Sequence, residues 1–153
     1  MASTAKPVPN GYHTVTPYLI VRDAARAIEF YRQAFGATEL MRMEDHNGNI
    51  GHAEIQIGNS RIMLADEFPE MGASSPQTLG GTPVSILLYV ENADEVFDRA
   101  VAAGAAVTRP MEDKFYGDRS GSVQDPSGHA WHIATHTEDL TPEAIGKRAA
   151  TAF

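Results

Sequence analysis

PYLIVRDAARAIEFYRQAFGA, residues 17–37, returns in altered form as ILLYVENADEVFDRAVAAGA, residues 86–105. Each stretch is a short apolar run, a polar residue suited to capping, an amphipathic segment and then glycine. In the first, Asp23 is the expected N-cap, and Ala27, Ile28, Tyr31, Ala34 and Phe35 recur at three- and four-residue spacing on one helical face before Gly36 ends it. In the second, Asn92 caps, Glu95 stands at the third helical position as in a capping box, Ala93, Val96, Phe97 and Ala100 form the face, and Gly104 ends it.

Val21 and Val90 lie 69 residues apart, and the same offset recurs downstream. GHAEIQIGNSRIMLAD, residues 51–66, lies over SGSVQDPSGHAWHIATH, residues 120–136, so that Gly58-Asn59 falls on Ser127-Gly128; both pairs predict tight hairpins. A chance likeness rarely keeps its register across two separate segments, so the halves read as a duplication. The expected fold is α+β, with two βαβββ modules in tandem forming curved mixed sheets. The first module takes residues 13–66 after a flexible lead at 1–12, and the second takes 84–137. Residues 67–83, EFPEMGASSPQTLGGTP, are rich in Gly, Ser and Pro without periodicity and read as a linker loop. In the tail, 138–153, Thr141-Pro142 opens a short helix through about Ala150.

Composition narrows the function. A chain of 153 residues that is 42% hydrophobic buries a real core as one compact domain. Twelve basic against twenty acidic residues give a net charge of -8, which argues against a partner that is nucleic acid and favours neutral or cationic ligands. With no cysteine, thiolate metal sites and a cysteine nucleophile are excluded. No stretch approaches the ~20 apolar residues that span a bilayer, and no apolar leader opens the chain, so the expected location is cytoplasmic without a membrane partner.

These motifs resemble the vicinal oxygen chelate superfamily of glyoxalases, bleomycin-resistance proteins and dioxygenases. The carrying text is residues 17–37, HAEIQIGNSRIMLADE from 52 and FYGDRSGSVQDPSGHAWHIATHTEDLTPEAIGKR from 115, and within the superfamily it looks most like the PhnB-like branch. The resemblance implies a cup for a small organic molecule and a homodimer. It also implies a divalent metal held by one residue near the start of the first strand and one on the last strand of each module. Here those positions are Thr16, Met63, Ser85 and His132, and the 69-residue offset relates them in pairs.

Two hydroxyls, a thioether and one imidazole make a poor set for hard or borderline ions, so no metal or other cofactor is expected. A displaced divalent metal is the alternative. The Gly58-Asn59 turn pairs residue 63 with 54 and 65 with 52, placing His52, Glu54 and Gln56 on the face of Met63, where His52, Glu54 and His132 could converge. Without metal, His132 and Glu54 are the expected acid-base pair. Side chains two apart share a strand face, so Thr16 and Tyr18, Ser85, Leu87 and Tyr89, and His132 and His136 are expected to line the cup. Tyr18 and Tyr89 serve either as ligand contacts or as core aromatics. Arg119 either grips a ligand anion or pins its hairpin through an Arg-Asp pair. Trp131 alternates with His132 and is expected in the core. The expected function is capture of a small organic ligand, with a superfamily enzyme (lyase, isomerase, thiol transferase or dioxygenase) as the alternative.

Overall fold

The computed structural model describes residues 4–153. The chain forms two compact units that meet in sequence at Gly81 and Thr82. The first holds β1 (Tyr18–Val21), α1 (Ala24–Phe35), β2 (Thr38–Glu44), β3 (Ile50–Ile57), β4 (Ser60–Asp66) and the short α2 (Pro76–Leu79). The second holds β5 (Ser85–Tyr89), α3 (Ala93–Ala102), β6 (Ala106–Asp113), β7 (Asp118–Gln124), β8 (Ala130–His136) and α4 (Pro142–Ala152). The sheets are ordered β1-β4-β3-β2 and β5-β8-β7-β6, with the first pair of each parallel and the others antiparallel. This is the expected pair of βαβββ modules.

The helices begin where the caps direct. Asp23 accepts the Arg26 N–H at 3.2 Å, and Asn92 accepts that of Glu95 at 3.1 Å. Helix α1 stops at Gly36, while α3 is capped one residue before the expected glycine, at Ala103. Each helix start is also tied to the end of its module's central parallel strand: Ala24 N–H donates to Asp66 at 2.6 Å and Ala93 N–H to Thr135 at 2.9 Å. Period-two alternation then buries Leu19, Val21, Ala53, Ile55, Ile62 and Leu64 in the first module, and Val123, Trp131 and Ile133 in the second. Trp131 donates its Nε1–H to Asp125 at 2.8 Å.

The register is subtler than one constant offset. Tyr18 lies beside Met63 and Leu87 beside His132, so β1, β4, β5 and β8 keep the spacing of 69. Glu54, however, lies opposite Met63, while Ser122 rather than Val123 lies opposite His132. The offset is already 68 across β2 and β6, where Thr38 lies opposite Gln56 and Ala106 opposite Gln124, and the bulges of the two hairpins then differ. On β3, Gly51 is an extra residue between the pairs Met43–His52 and Glu44–Ile50, a β-bulge. The turn from β7 to β8 is one residue longer than its counterpart.

That longer turn corrects the expectation of a tight hairpin at Ser127-Gly128. Asp125 accepts the N–H groups of Ser127 and His129 on one carboxylate oxygen, and its own N–H donates to the His129 carbonyl across a five-residue turn. Asp45–Asn49 closes in the same way, and Lys114–Asp118 shares its backbone bonds. All three turns carry glycine in fourth place, at φ 83, 96 and 94 for Gly48, Gly117 and Gly128. The stretch read as a linker loop contains a 3-10 turn, Pro69–Met71, and α2. Of the lead expected to be flexible, residues 1–3 lie outside the described residues, whereas Tyr12 N–H closes a turn on the Pro9 carbonyl at 3.1 Å. Among the described residues no helix is long and apolar enough to cross a membrane.

Candidate functional site

On the sheet face of the first module away from the buried core, β1, β4 and β3 bring Tyr18, Met63 and Glu54 abreast, and alternation adds His52 and Gln56. The polar members are joined. Tyr18 hydroxyl and His52 Nδ1 are 2.8 Å apart, and His52 Nε2 lies 2.8 Å from Glu54 Oε2. The other oxygen of Glu54 accepts from the Tyr12 hydroxyl. The Tyr12 and His52 bonds hold the Glu54 carboxyl below the usual carboxylate range, while partial burial and then the nearby Glu54 push the Tyr18 phenol up.

Tyr12 was missed in the sequence because it precedes the first periodic segment and carries no spacing signal. Its ring is held beneath Arg61, whose guanidinium carbon sits 5.0 Å from the ring centroid. Arg61 also donates to Gln56 Oε1 at 3.1 Å and to the Asn10 carbonyl at 3.3 Å. Gln56 Nε2 donates to the Gly58 carbonyl at 3.0 Å, so this expected ligand contact instead supports the hairpin.

Beside this network lies a cavity of about 480 Å³ at the end of the parallel β1–β4 pair. Tyr18, Ile20, Ile50, Ala65, Phe68 and Met71 supply its apolar lining, and Asp45, Asn49, Asp66 and Glu67 its polar lining. Asp66 and Asp45 are held by neutral donors, and Glu67 by neutral donors with Arg22 beside it. Asp66 accepts from the Ala24 and Ile50 N–H groups at 2.6 and 2.7 Å, and Asp45 accepts from Asn47 and Asn49 N–H at 2.8 and 3.0 Å. Glu67 accepts from Ser75 N–H at 2.9 Å and from the Thr78 hydroxyl at 2.7 Å, which with the more distant Arg22 lower its pKa to about 2. Neutral N–H donors stabilise the negative charge without cancelling it, so the cavity lies in an acidic field.

The second module gathers different groups. His132 contacts Ser122 Oγ through Nδ1 at 2.6 Å and Ser85 Oγ through Nε2 at 3.0 Å. Tyr89 donates to Asp118 at 2.7 Å, and Asp118 also bonds His136 Nδ1 at 2.8 Å, while Asp139 takes Nε2 at 2.7 Å. Those two carboxylates, Asp118 first, raise the pKa of His136. Leu87 is half exposed beside His132. Arg119 corrects one expectation. It grips Asp94 of α3 through two bonds of 2.8 and 2.9 Å and reaches Asp113 at 3.3 Å, so it pins its own hairpin and helix instead of presenting a fork to a ligand.

The superfamily's metal positions do not fit a metal here. Thr16 precedes β1 and donates to the His13 carbonyl at 3.4 Å, Met63 offers a thioether, and both ring nitrogens of His132 are engaged by serines that include Ser85. Among the described residues no group of three or more His, Asp or Glu is arranged to hold a metal ion. Glu54 belongs to the first module's network and His132 to the second's.

A duplicated βαβββ unit with an acidic, partly apolar cavity and a degenerate metal set defines the class. The chain belongs to the Glyoxalase/Bleomycin resistance protein/Dioxygenase superfamily, whose family model matches residues 12–133. The uncharacterized protein Mb0911c of Mycobacterium bovis is 43% identical over 134 residues, covering 86% of this chain and 88% of that one. Among solved structures, TioX from Micromonospora sp. ML1 is similar at 28% identity and a TM-score of 0.63, covering 84% of this chain and all of that one. The PhnB protein from Bacillus cereus, described as a putative 3-demethylubiquinone-9 3-methyltransferase, shares the fold at 19% identity and a TM-score of 0.62, over 80% of this chain and 99% of that one.

Proposed function

We propose that this protein, a superfamily member nearest the PhnB-like branch, binds a small organic cation in the cavity of its first module and does so without a metal. The observation that carries the reading is the cavity itself: about 480 Å³, walled by Tyr18, Ile20, Ile50 and Ala65, with the carboxyl groups of Asp45 and Asp66 bonded to backbone N–H donors. The net charge of -8 acts in the same direction. The proposal includes a homodimer, the assembly that the family resemblance implies, and a cytoplasmic location.

Acid-base turnover by Glu54 and His132 has less support. Glu54 is committed to Tyr12 and His52 and lies below the ordinary carboxylate range, which makes it a weak base.

Titration calorimetry with benzyltrimethylammonium and benzoate, flat probes of opposite charge, tests the reading. The cation is expected to bind at least ~10-fold more tightly, as opposite charges in a shared low-dielectric pocket require. Equal affinities would refute it. Elemental analysis of protein purified from cells is expected to give Ni, Zn, Mn and Fe far below one per chain, and a stoichiometric ion would refute the metal-free part.

A further inference from the structure

The Tyr18–His52–Glu54 chain fixes the direction of its hydrogen bonds. Glu54 already accepts the Tyr12 proton, and an ionised carboxylate is an acceptor only, so the proton of the 2.8 Å contact with His52 sits on Nε2. A singly protonated imidazole then has a bare Nδ1. The 2.8 Å contact between that nitrogen and Tyr18 is made by the phenol proton. Tyr18 lines the cavity and is 47% exposed, and its hydroxyl, having given its proton to His52, has only oxygen lone pairs to offer a ligand.

The neighbouring carboxylates act differently. Asp66 uses both oxygens on backbone N–H groups, and Asp45 is folded back onto its own turn. They supply a field that attracts positive charge, whereas Tyr18 supplies a contact atom.

We propose that Tyr18, with its proton fixed on His52 by Glu54, selects ligands whose cation carries N–H bonds, a primary or secondary ammonium, over quaternary ammonium ions. Tyr18 touches the ligand; His52 and Glu54 are positioning residues. The duplication has kept this device in one module. At the matching places the second module has Leu87, Ser120 and Ser122, which cannot form the chain. The inference rests on the reading that the cavity binds an organic cation.

The test uses the full chain at about pH 8, where an ordinary imidazole is neutral. Calorimetric titrations compare benzylammonium, benzyltrimethylammonium and benzoate for the native protein and for Tyr18→Phe. The native protein is expected to bind benzylammonium about fivefold more tightly than benzyltrimethylammonium, the scale of one hydrogen bond. Tyr18→Phe should bring that ratio within about twofold of unity, with circular dichroism and the thermal midpoint showing separately that the variant is folded. Nitrogen-15 NMR of the native protein should show His52 protonated on Nε2 and bare on Nδ1. A ratio near one in the native protein, a ratio that survives Tyr18→Phe, or a ring protonated on Nδ1 would overturn the role of Tyr18 while cation binding stands. Benzoate binding as tightly as the cations, or no binding of any probe, would overturn the cavity reading and this inference together.

Discussion

Gly121 is the place where adding one methyl group should cost most. A Cβ built there lies 2.8 Å from Phe97 Cε2 and 3.1 Å from the backbone N and Cα of Met111 on the neighbouring strand. One obstacle is a buried ring and the other is main chain, so neither can give way cheaply. Overpacking of this kind costs ~1–3 kcal/mol, offset by the ~0.5–1 kcal/mol that Gly→Ala contributes within a strand. Gly121→Ala should therefore lose ~1–2 kcal/mol, lowering the thermal midpoint by roughly 2–8 °C for a chain of this size. The first module shows the remedy. Its counterparts of Phe97 and Gly121 are Ile28 and Ala53, both buried: a smaller helix residue faces a larger strand residue. Adding Phe97→Ile to Gly121→Ala should recover part of the loss, with a favourable coupling of ~1 kcal/mol in a double-mutant cycle followed by calorimetry or circular dichroism. A Gly121→Ala protein as stable as the parent, or strictly additive effects, would refute the steric argument. Gly146→Ala is the control: nothing lies within 4 Å of a Cβ there, and in the middle of α4 alanine should stabilise by ~0.5–1 kcal/mol.

Two titrations test the electrostatics. Ser75 N–H and the Thr78 hydroxyl lower the Glu67 pKa from 4.5 to about 2, so Glu67 contributes stability that is fully present above the ordinary carboxylate range and lost as pH falls towards 2. Its carboxyl carbon should titrate near 2 by NMR, and an ordinary value in the folded chain would contradict the bonding described. The pKa of His136 is raised by Asp118 and Asp139, so its contribution is complete below the ordinary imidazole range and fades as pH rises through the elevated value. His136→Gln should therefore destabilise most at mildly acidic pH and progressively less above it, measured by urea midpoints. A deficit that grows with pH would show the sign to be wrong.

Much of the fold was legible because it rests on local chemistry. Asp23, Asn92 and Thr141 cap the helices as read, the 3.6-residue spacing marked the buried faces of α1 and α3, and the hairpin pairing of Glu54 with Met63 followed from Gly58-Asn59. The candidate site was legible only in part. His52, Glu54 and Tyr18 fall on one face as alternation requires, but nothing local announces that Tyr12, outside every periodic segment, closes the set. Arg119 shows the opposite failure: its sequence permits a ligand grip, and only the placement of Asp94 on α3 decides for the internal pair.

The duplication itself was determined by sequence, since an offset of 69 residues holds at both ends of each module. Tertiary structure decided what the offset conceals. The offset falls to 68 through β2 and β3 and returns to 69 at the longer turn at Asp125, so Glu54 answers to Ser122 and not to Val123. A strand alternates faces with each residue, so one uncounted insertion turns a whole run of side chains to the other side of the sheet. Insertions of that kind are settled by the hydrogen-bond ladder between strands, which a sequence read one segment at a time does not contain.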